Sequence, residues 1–284
     1  MRAGAPGGPA VTWDSLRLRS ALPVLYPLGP RRTESRPWAT AVPTCVVCRG
    51  PVRPGFARCY QCERHDVLGH GLLADAVVPV SYAVKGTALA EALWRYKSCS
   101  APGGPARRCL LALLLTFLID HGSCVWREAA MAPPDRLAVV PTGYGRPGPH
   151  PLLRLASPYL RLPLAPLAIR PGRQGRDLDV HRFRAGLVPD GGGVLLLDDS
   201  WVSGASAQSA SAALKLAGAG RVAIVVLGRH LSPADPRAGP LIARLTPAPY
   251  DPSACAVRAP RLPAGRTGQG RQINGANGYY PSGS

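Results

Sequence analysis

The chain has 284 residues, 46% of them hydrophobic and 18% charged, with 32 glycines and 32 prolines. That balance belongs to a globular protein with one core of ordinary size plus loop-rich appendages, and it excludes a chain disordered throughout. Net charge is +18, and only three basic residues are lysines (Lys85, Lys97 and Lys215), the rest being arginines. Such an excess suits anionic ligands (phosphates, pyrophosphate or nucleic acid) as readily as it reflects a GC-rich genome and a solvated surface.

Residues 1–40 are rich in Gly, Pro and Arg and read as a flexible extension in which only 20–26 look able to pack. The first twenty residues carry Arg2, Asp14, Arg17 and Arg19 without a continuous apolar stretch, so no secretory signal is expected. Residues 41–66 hold four cysteines, and 74–235 alternate apolar runs with helical patterns. The first strand is expected at 76–80. A helix follows at 86–96, with Leu89, Leu93 and Trp94 at helical spacing, and leads to Lys97. Residues 101–105 form a Gly/Pro break, the reading being a mobile loop. Residues 107–121 read as an apolar helix, 137–141 as a buried strand, 142–151 as a Gly/Pro/Arg loop and 152–160 as a helix. An edge strand is expected at 164–170, then strands at 194–197 and 221–227 flanking a helix at 207–217 that Gly218 stops. Strands and helices of this length, alternating, argue α/β architecture with a parallel sheet. Residues 236–258 read as a C-terminal extension and 259–284 as a disordered basic tail. The most apolar stretch, 110–119, is about half the length needed to span a bilayer, so no membrane partner is expected and the location is read as cytoplasmic.

Cys45-x-x-Cys48 and Cys59-x-x-Cys62 form two knuckles with ten residues between them. Each pair can aim two thiolates at one ion, and four thiolates in a tetrahedron select zinc in a closed structural site. Disulfides and redox thiols are the competing readings. A module this small buries little, so metal binding would supply its folding energy. Arg49, Arg53, Arg58 and Arg64 make it basic, a feature shared with zinc ribbons that touch single-stranded DNA. His65 is superfluous beside four cysteines, while Cys99, Cys109, Cys124 and Cys255 show no ligand spacing and read as single thiols.

The run 194–197 ends in Asp198 and Asp199, and a loop containing Ser200, Ser203, Gly204, Ala205 and Ser206 then enters a helix. Ligands of open α/β sheets bind at the carboxyl ends of strands. Carboxylates there can accept hydrogen bonds from ribose hydroxyls. A helix N-terminus with a glycine for close approach favours a phosphate. Trp201 either stacks on a base or packs on the next helix.

This pattern resembles the phosphoribosyl pyrophosphate (PRPP) motif of type I phosphoribosyltransferases, with Ser203 and Ser206 where threonine is usual. A four-Cys ribbon ahead of such a core is similar to the ComF family, whose namesake is linked to competence for DNA uptake. The resemblance covers about residues 45–230. It includes Tyr82, Gly86 and Lys97, and a pyrophosphate loop Val140-Pro141-Thr142-Gly143-Tyr144-Gly145-Arg146. The family's following Arg-Gly-Phe-Asn is replaced by Pro147-Gly148-Pro149-His150, and its later Gln…Arg segment survives as Gln174 and Arg182.

The resemblance implies a type I phosphoribosyltransferase-like sheet and transfer of phosphoribosyl from PRPP-Mg2+ to a nitrogenous acceptor. Asp198 and Asp199 would serve the ribose, Ser200 and Ser203–Ser206 the 5′-phosphate, and Arg146 with the 142–145 backbone the pyrophosphate. Lys97 would close over the leaving group. The alternatives are a PRPP- or nucleotide-binding regulator without turnover and a DNA-binding accessory. The acceptor stays open, as does the oligomeric state, a homodimer included.

Overall fold

The structure is a computed structural model that describes residues 42–98, 104–141, 149–173, 175–245 and 254–257. In chain order its elements are α1 (Tyr60–Leu68), β1 (Ala76–Val84), α2 (Ala88–Ser98), α3 (Pro105–Glu128), β2 (Arg136–Val139), α4 (Pro151–Leu160) and β3 (Leu167–Ile169). There follow β4 (Phe183–Ala185), β5 (Gly193–Trp201), α5 (Ala205–Leu216), β6 (Arg221–Leu231) and α6 (Gly239–Leu245). Four strands make a parallel sheet in the order β1-β6-β5-β2. The α/β architecture with helices on both faces is therefore as the sequence pattern anticipates.

Strand alternation sorts the core into two halves. Leu195 and Leu197 of β5 join Ala223, Val225 and Leu227 of β6 in a core with α2, α3 and α4. Val194 and Leu196 join Val222, Ile224 and Val226 in a core with α5 and three of the knuckle cysteines. Adjacent strand residues face opposite ways, so these runs are apolar throughout because both faces are covered. Pro79 is tolerated in β1 because that strand lies at the sheet edge.

Several elements outrun their sequence expectation. Helix α3 extends to Glu128, its Gly122 buried beneath Trp126. It is long and apolar enough to cross a membrane, yet 78% of its most apolar window is buried inside the molecule. Strand β6 continues through Arg229 and His230 to Leu231, because those polar residues are buried or half-buried in contacts described below. The strand expected at 164–170 is not an edge of the main sheet. Only a bridge from Leu164 to Leu137 reaches that sheet, and Leu167–Ile169 pairs antiparallel with Phe183–Ala185 in a separate hairpin. That hairpin packs its Phe183 with α5.

Candidate functional site

Strand β5 does not stop at 197 but runs to Trp201, so Ser200, expected in the loop, is a strand residue. Asp198 and Asp199 lie inside the strand toward its carboxyl end, where its alternation separates them. Asp199 points toward α2 and is 3% exposed. Its Oδ1 accepts from Lys97 Nζ at 2.8 Å, and its Oδ2 accepts from the Tyr96 hydroxyl. His150 Nε2 lies 3.6 Å from the same oxygen. The tautomer follows from the helix cap. His150 Nδ1 accepts from Leu152 N at 3.0 Å at the start of α4, which leaves Nε2 to carry the proton facing Asp199. Asp199 thus gathers α2, α4 and β5 at one point.

Asp198 belongs by alternation to the α5 side and is half-buried. Burial, and then the charge of Asp199, push its carboxyl up to about 7, against the partial relief given by Lys97 and two backbone N–H groups. Asp199 N donates to Asp198 Oδ1 at 2.9 Å.

Beyond the strand, Gly204 caps α5 with φ +84, in the left-handed region where glycine carries no Cβ penalty. A Cβ there would also lie 2.0 Å from Trp201 Cζ2. Trp201 is accordingly buried at 1% beneath the turn, so its indole packs rather than offering a stacking face. Ser203 Oγ accepts from Ala205 N at 3.3 Å, and Ser206 Oγ accepts from Arg182 Nη1 at 3.1 Å. Arg182 is 4% exposed, and burial, opposed by Asp179 and Asp177, holds its guanidinium below the usual value. Its Nε has no hydrogen-bond partner among the described residues. A buried cation at the N-terminal turn of α5 adds full charge to the positive end of the helix dipole. The sequence offered Arg182 only as a family echo; its place beside Ser206 depends on the hairpin.

Thr142, Gly143, Tyr144, Gly145 and Arg146, expected to receive pyrophosphate, lie outside the described residues, as do Gln174 and the loop residues 101–103.

The four knuckle sulfurs, Cys45, Cys48, Cys59 and Cys62, lie 3.6–3.9 Å from one another. A tetrahedron with bonds of about 2.3 Å has edges of about 3.8 Å, so these residues fit a zinc ion. Hydrogen bonds from Cys45 and Cys59 hold the Cys48 thiol well below its ordinary value, with Arg229 beside it. Cys59 and Cys62 are driven up, first by Cys45.

The ribbon is docked on the carboxyl edge of the sheet. Tyr82, Arg229 and Trp201 stand side by side on β1, β6 and β5. The Tyr82 hydroxyl donates to Arg49 O at 2.7 Å. Arg229 stands beside Cys48; burial alone would lower its guanidinium, but the Cys48 charge outweighs that and raises it. Its Nη1 also donates to Trp201 O at 3.1 Å and His230 O at 2.6 Å. One buried guanidinium thus links the cysteine cluster to the end of β5, ahead of the Gly204 turn.

Arg49 is itself buried, while Arg58 pairs with Asp66 at 2.6 Å and Arg64 with Asp177 at 3.0 Å. Much of the ribbon's basic charge is therefore already answered within the chain. Among the described residues, groups of three or more potential metal ligands occur twice, at the four cysteines and at His121, Cys124 and Cys255. The second group corrects the reading of Cys124 and Cys255 as isolated thiols. Asp198 and Asp199 belong to neither, so no carboxylate cage for Mg2+ is among these groups.

No protein-family model and no curated protein matches this chain.

Proposed function

We propose that this chain binds PRPP with Mg2+ and transfers its phosphoribosyl group to a nitrogenous acceptor, as the resemblance to the ComF family and type I phosphoribosyltransferases implies. The observation that carries this reading is the end of β5. A carboxyl pushed up to about 7 stands toward the carboxyl end of β5, and beyond the strand come a left-handed glycine and a helix N-terminus furnished with the buried Arg182.

In such a reaction the nitrogen lone pair forms the new bond at the anomeric carbon as the C–O bond to pyrophosphate breaks, and pyrophosphate leaves with the electron pair. The acceptor proton passes to a base. Positive charge develops on the ribose ring, so positioning and electrostatics dominate. Asp198 faces the loop side and would hold a ribose hydroxyl, its ionised form opposing the developing charge. Ser203, Ser206, Arg182 and the α5 N-terminus would take the 5′-phosphate. Mg2+ would arrive on the ligand oxygens with water completing its shell. Asp199 would hold Lys97 at the leaving-group side rather than touch the ribose, a division of labour that differs from a shared role for the two acids. The four-Cys ribbon would carry structural zinc.

The test is calorimetric titration of PRPP and Mg2+ into zinc-loaded protein, followed by an acceptor screen for pyrophosphate release. Micromolar binding that falls at least tenfold in Asp198→Asn and in Arg182→Leu supports the reading. Absence of binding to folded wild-type protein overturns it. Binding without pyrophosphate release from any acceptor would favour a ligand-sensing regulator.

A further inference from the structure

His121 and Cys124 are three residues apart on α3, so both side chains leave the same face about one turn apart. Cys255 arrives from the separate segment 254–257. The ligand atoms of all three lie within 4.8 Å of one another. They are 2%, 1% and 2% exposed, and neither cysteine is in a disulfide. The Phe117 ring meets the imidazole at 5.4 Å between centroids, in a tilted arrangement that fixes its plane.

The donor set selects the ion. Two sulfurs and one nitrogen, without a carboxylate, disfavour Mg2+ and Ca2+ and suit a thiophilic cation. The surroundings select the charge. Cys124 and Cys255 sit in the apolar core that also holds Phe117, Val125 and Trp126. Zn2+ with two thiolates and a neutral imidazole sums to zero, whereas Cu(I) with the same ligands carries −1, and net charge is costly in apolar surroundings. The distances are also compatible. Donors on one zinc stand about 3.4–3.8 Å apart for bonds of about 2.0–2.3 Å, within the observed span and reached by small side-chain adjustments.

We propose that His121, Cys124 and Cys255 form a second zinc site, distinct from the four-Cys ribbon, that fastens the segment 254–257 to α3. Three protein donors leave the fourth tetrahedral position to a small ligand. The placement ties the two metal centres together. Ala256, next to Cys255, accepts a hydrogen bond on its carbonyl from Arg49, the residue after Cys48. The segment that supplies the third ligand is thereby held between both sites.

The experiment counts metal in the full-length chain, stripped by chelator under reducing conditions and reconstituted with Zn2+ or, for spectroscopy, Co2+. Wild type is expected to bind two equivalents. Cys255→Ser and the double variant Cys124→Ser/Cys255→Ser should each bind one, and the remaining cobalt spectrum should be that of four thiolates. Cys48→Ser/Cys62→Ser should keep one equivalent, with about half the thiolate-to-cobalt charge-transfer intensity per metal. A wild-type protein that binds one zinc overturns the proposal, as does a second equivalent that survives in the double variant. Cys255 lies outside the helices, so Cys255→Ser is the decisive variant should a change in α3 disturb folding. Titration of the wild type with Cu(I) is the parallel arm. A second equivalent taken up as Cu(I) but not as Zn2+ refutes the charge argument.

Discussion

Gly50→Ala tests the link between the ribbon and the sheet. Gly50 has no positive φ, so alanine fits its backbone and the effect is purely one of space. The added Cβ would stand 2.1 Å from Arg229 Nη2 and 2.8 Å from both Cζ and Nε. A guanidinium is normally the forgiving end of a flexible side chain. Here it is 7% exposed, bonded to Trp201 O and His230 O, and set beside Cys48. Moving it breaks at least one of those bonds. Overpacking costs about 1–3 kcal/mol, and a lost hydrogen bond from a charged donor costs about 1.5–3 kcal/mol. The expected destabilisation is about 3 kcal/mol, which for a urea slope of about 2 kcal/mol/M lowers the midpoint by about 1.5 M. The assay is urea unfolding of zinc-loaded wild type and variant. Gly55→Ala is the control, because Gly55 has φ +83 and nothing within 4 Å of its would-be Cβ, so only backbone strain of about 1 kcal/mol applies. A Gly50→Ala midpoint equal to or above that of Gly55→Ala would refute the claim that Arg229 is fixed between thiolates and loop.

Chelation of zinc should expose the 42–68 region to protease while the sheet persists, read by mass spectrometry of the fragments; equal resistance with and without metal would contradict a metal-folded ribbon. Asp198, with its carboxyl at about 7 against an ordinary 3.8, keeps in the folded state a proton that the unfolded chain releases. Stability should therefore fall as pH rises from 4 to 7, by at most about 4 kcal/mol at 1.36 kcal/mol per unit, and Asp198→Asn should flatten that slope in urea titrations. Asp75 has the opposite sign. Burial opposes its ionisation, but Val222 N, Arg221 and Lys215 more than offset that and depress its carboxyl, so its contribution is present above the ordinary value and lost in acid. Asp75→Asn should lower the stability at neutral pH by about 2 kcal/mol, a loss that shrinks progressively as the pH falls below 3.8.

The α/β class and the ribbon were legible because each rests on local pattern. Apolar runs that are buried on both faces mark parallel strands, and paired Cys-x-x-Cys knuckles at short separation mark a tetrahedral site. The acids were located but not resolved. The strand does not end at the acids: β5 continues through Ser200 to Trp201, so both lie inside it toward its carboxyl end, and the period of two along a strand keeps adjacent residues from facing one ligand alike. What no local pattern could supply is contact between distant segments. Arg182 meets Ser206 only because a hairpin folds back over α5, and Cys255 meets His121 only because the chain returns to α3.

Those distant contacts share a physical logic. Arg229, Arg182 and Asp199 are polar groups placed where desolvation is expensive, and each is answered by partners from another element. A buried charge that is well answered adds little net stability, yet removing one partner costs much, so such groups constrain relative placement more than they strengthen the core. In this chain they stand along the carboxyl edge of the sheet. Arg229 fixes the ribbon to the end of β5, Asp199 fixes α2 and α4 to the same strand, and Arg182 fixes the hairpin to the start of α5. The apolar alternation would be satisfied by many small shifts of these elements against one another. The charged contacts permit far fewer, and they converge on the end of the sheet from which β5 leads into the α5 N-terminus.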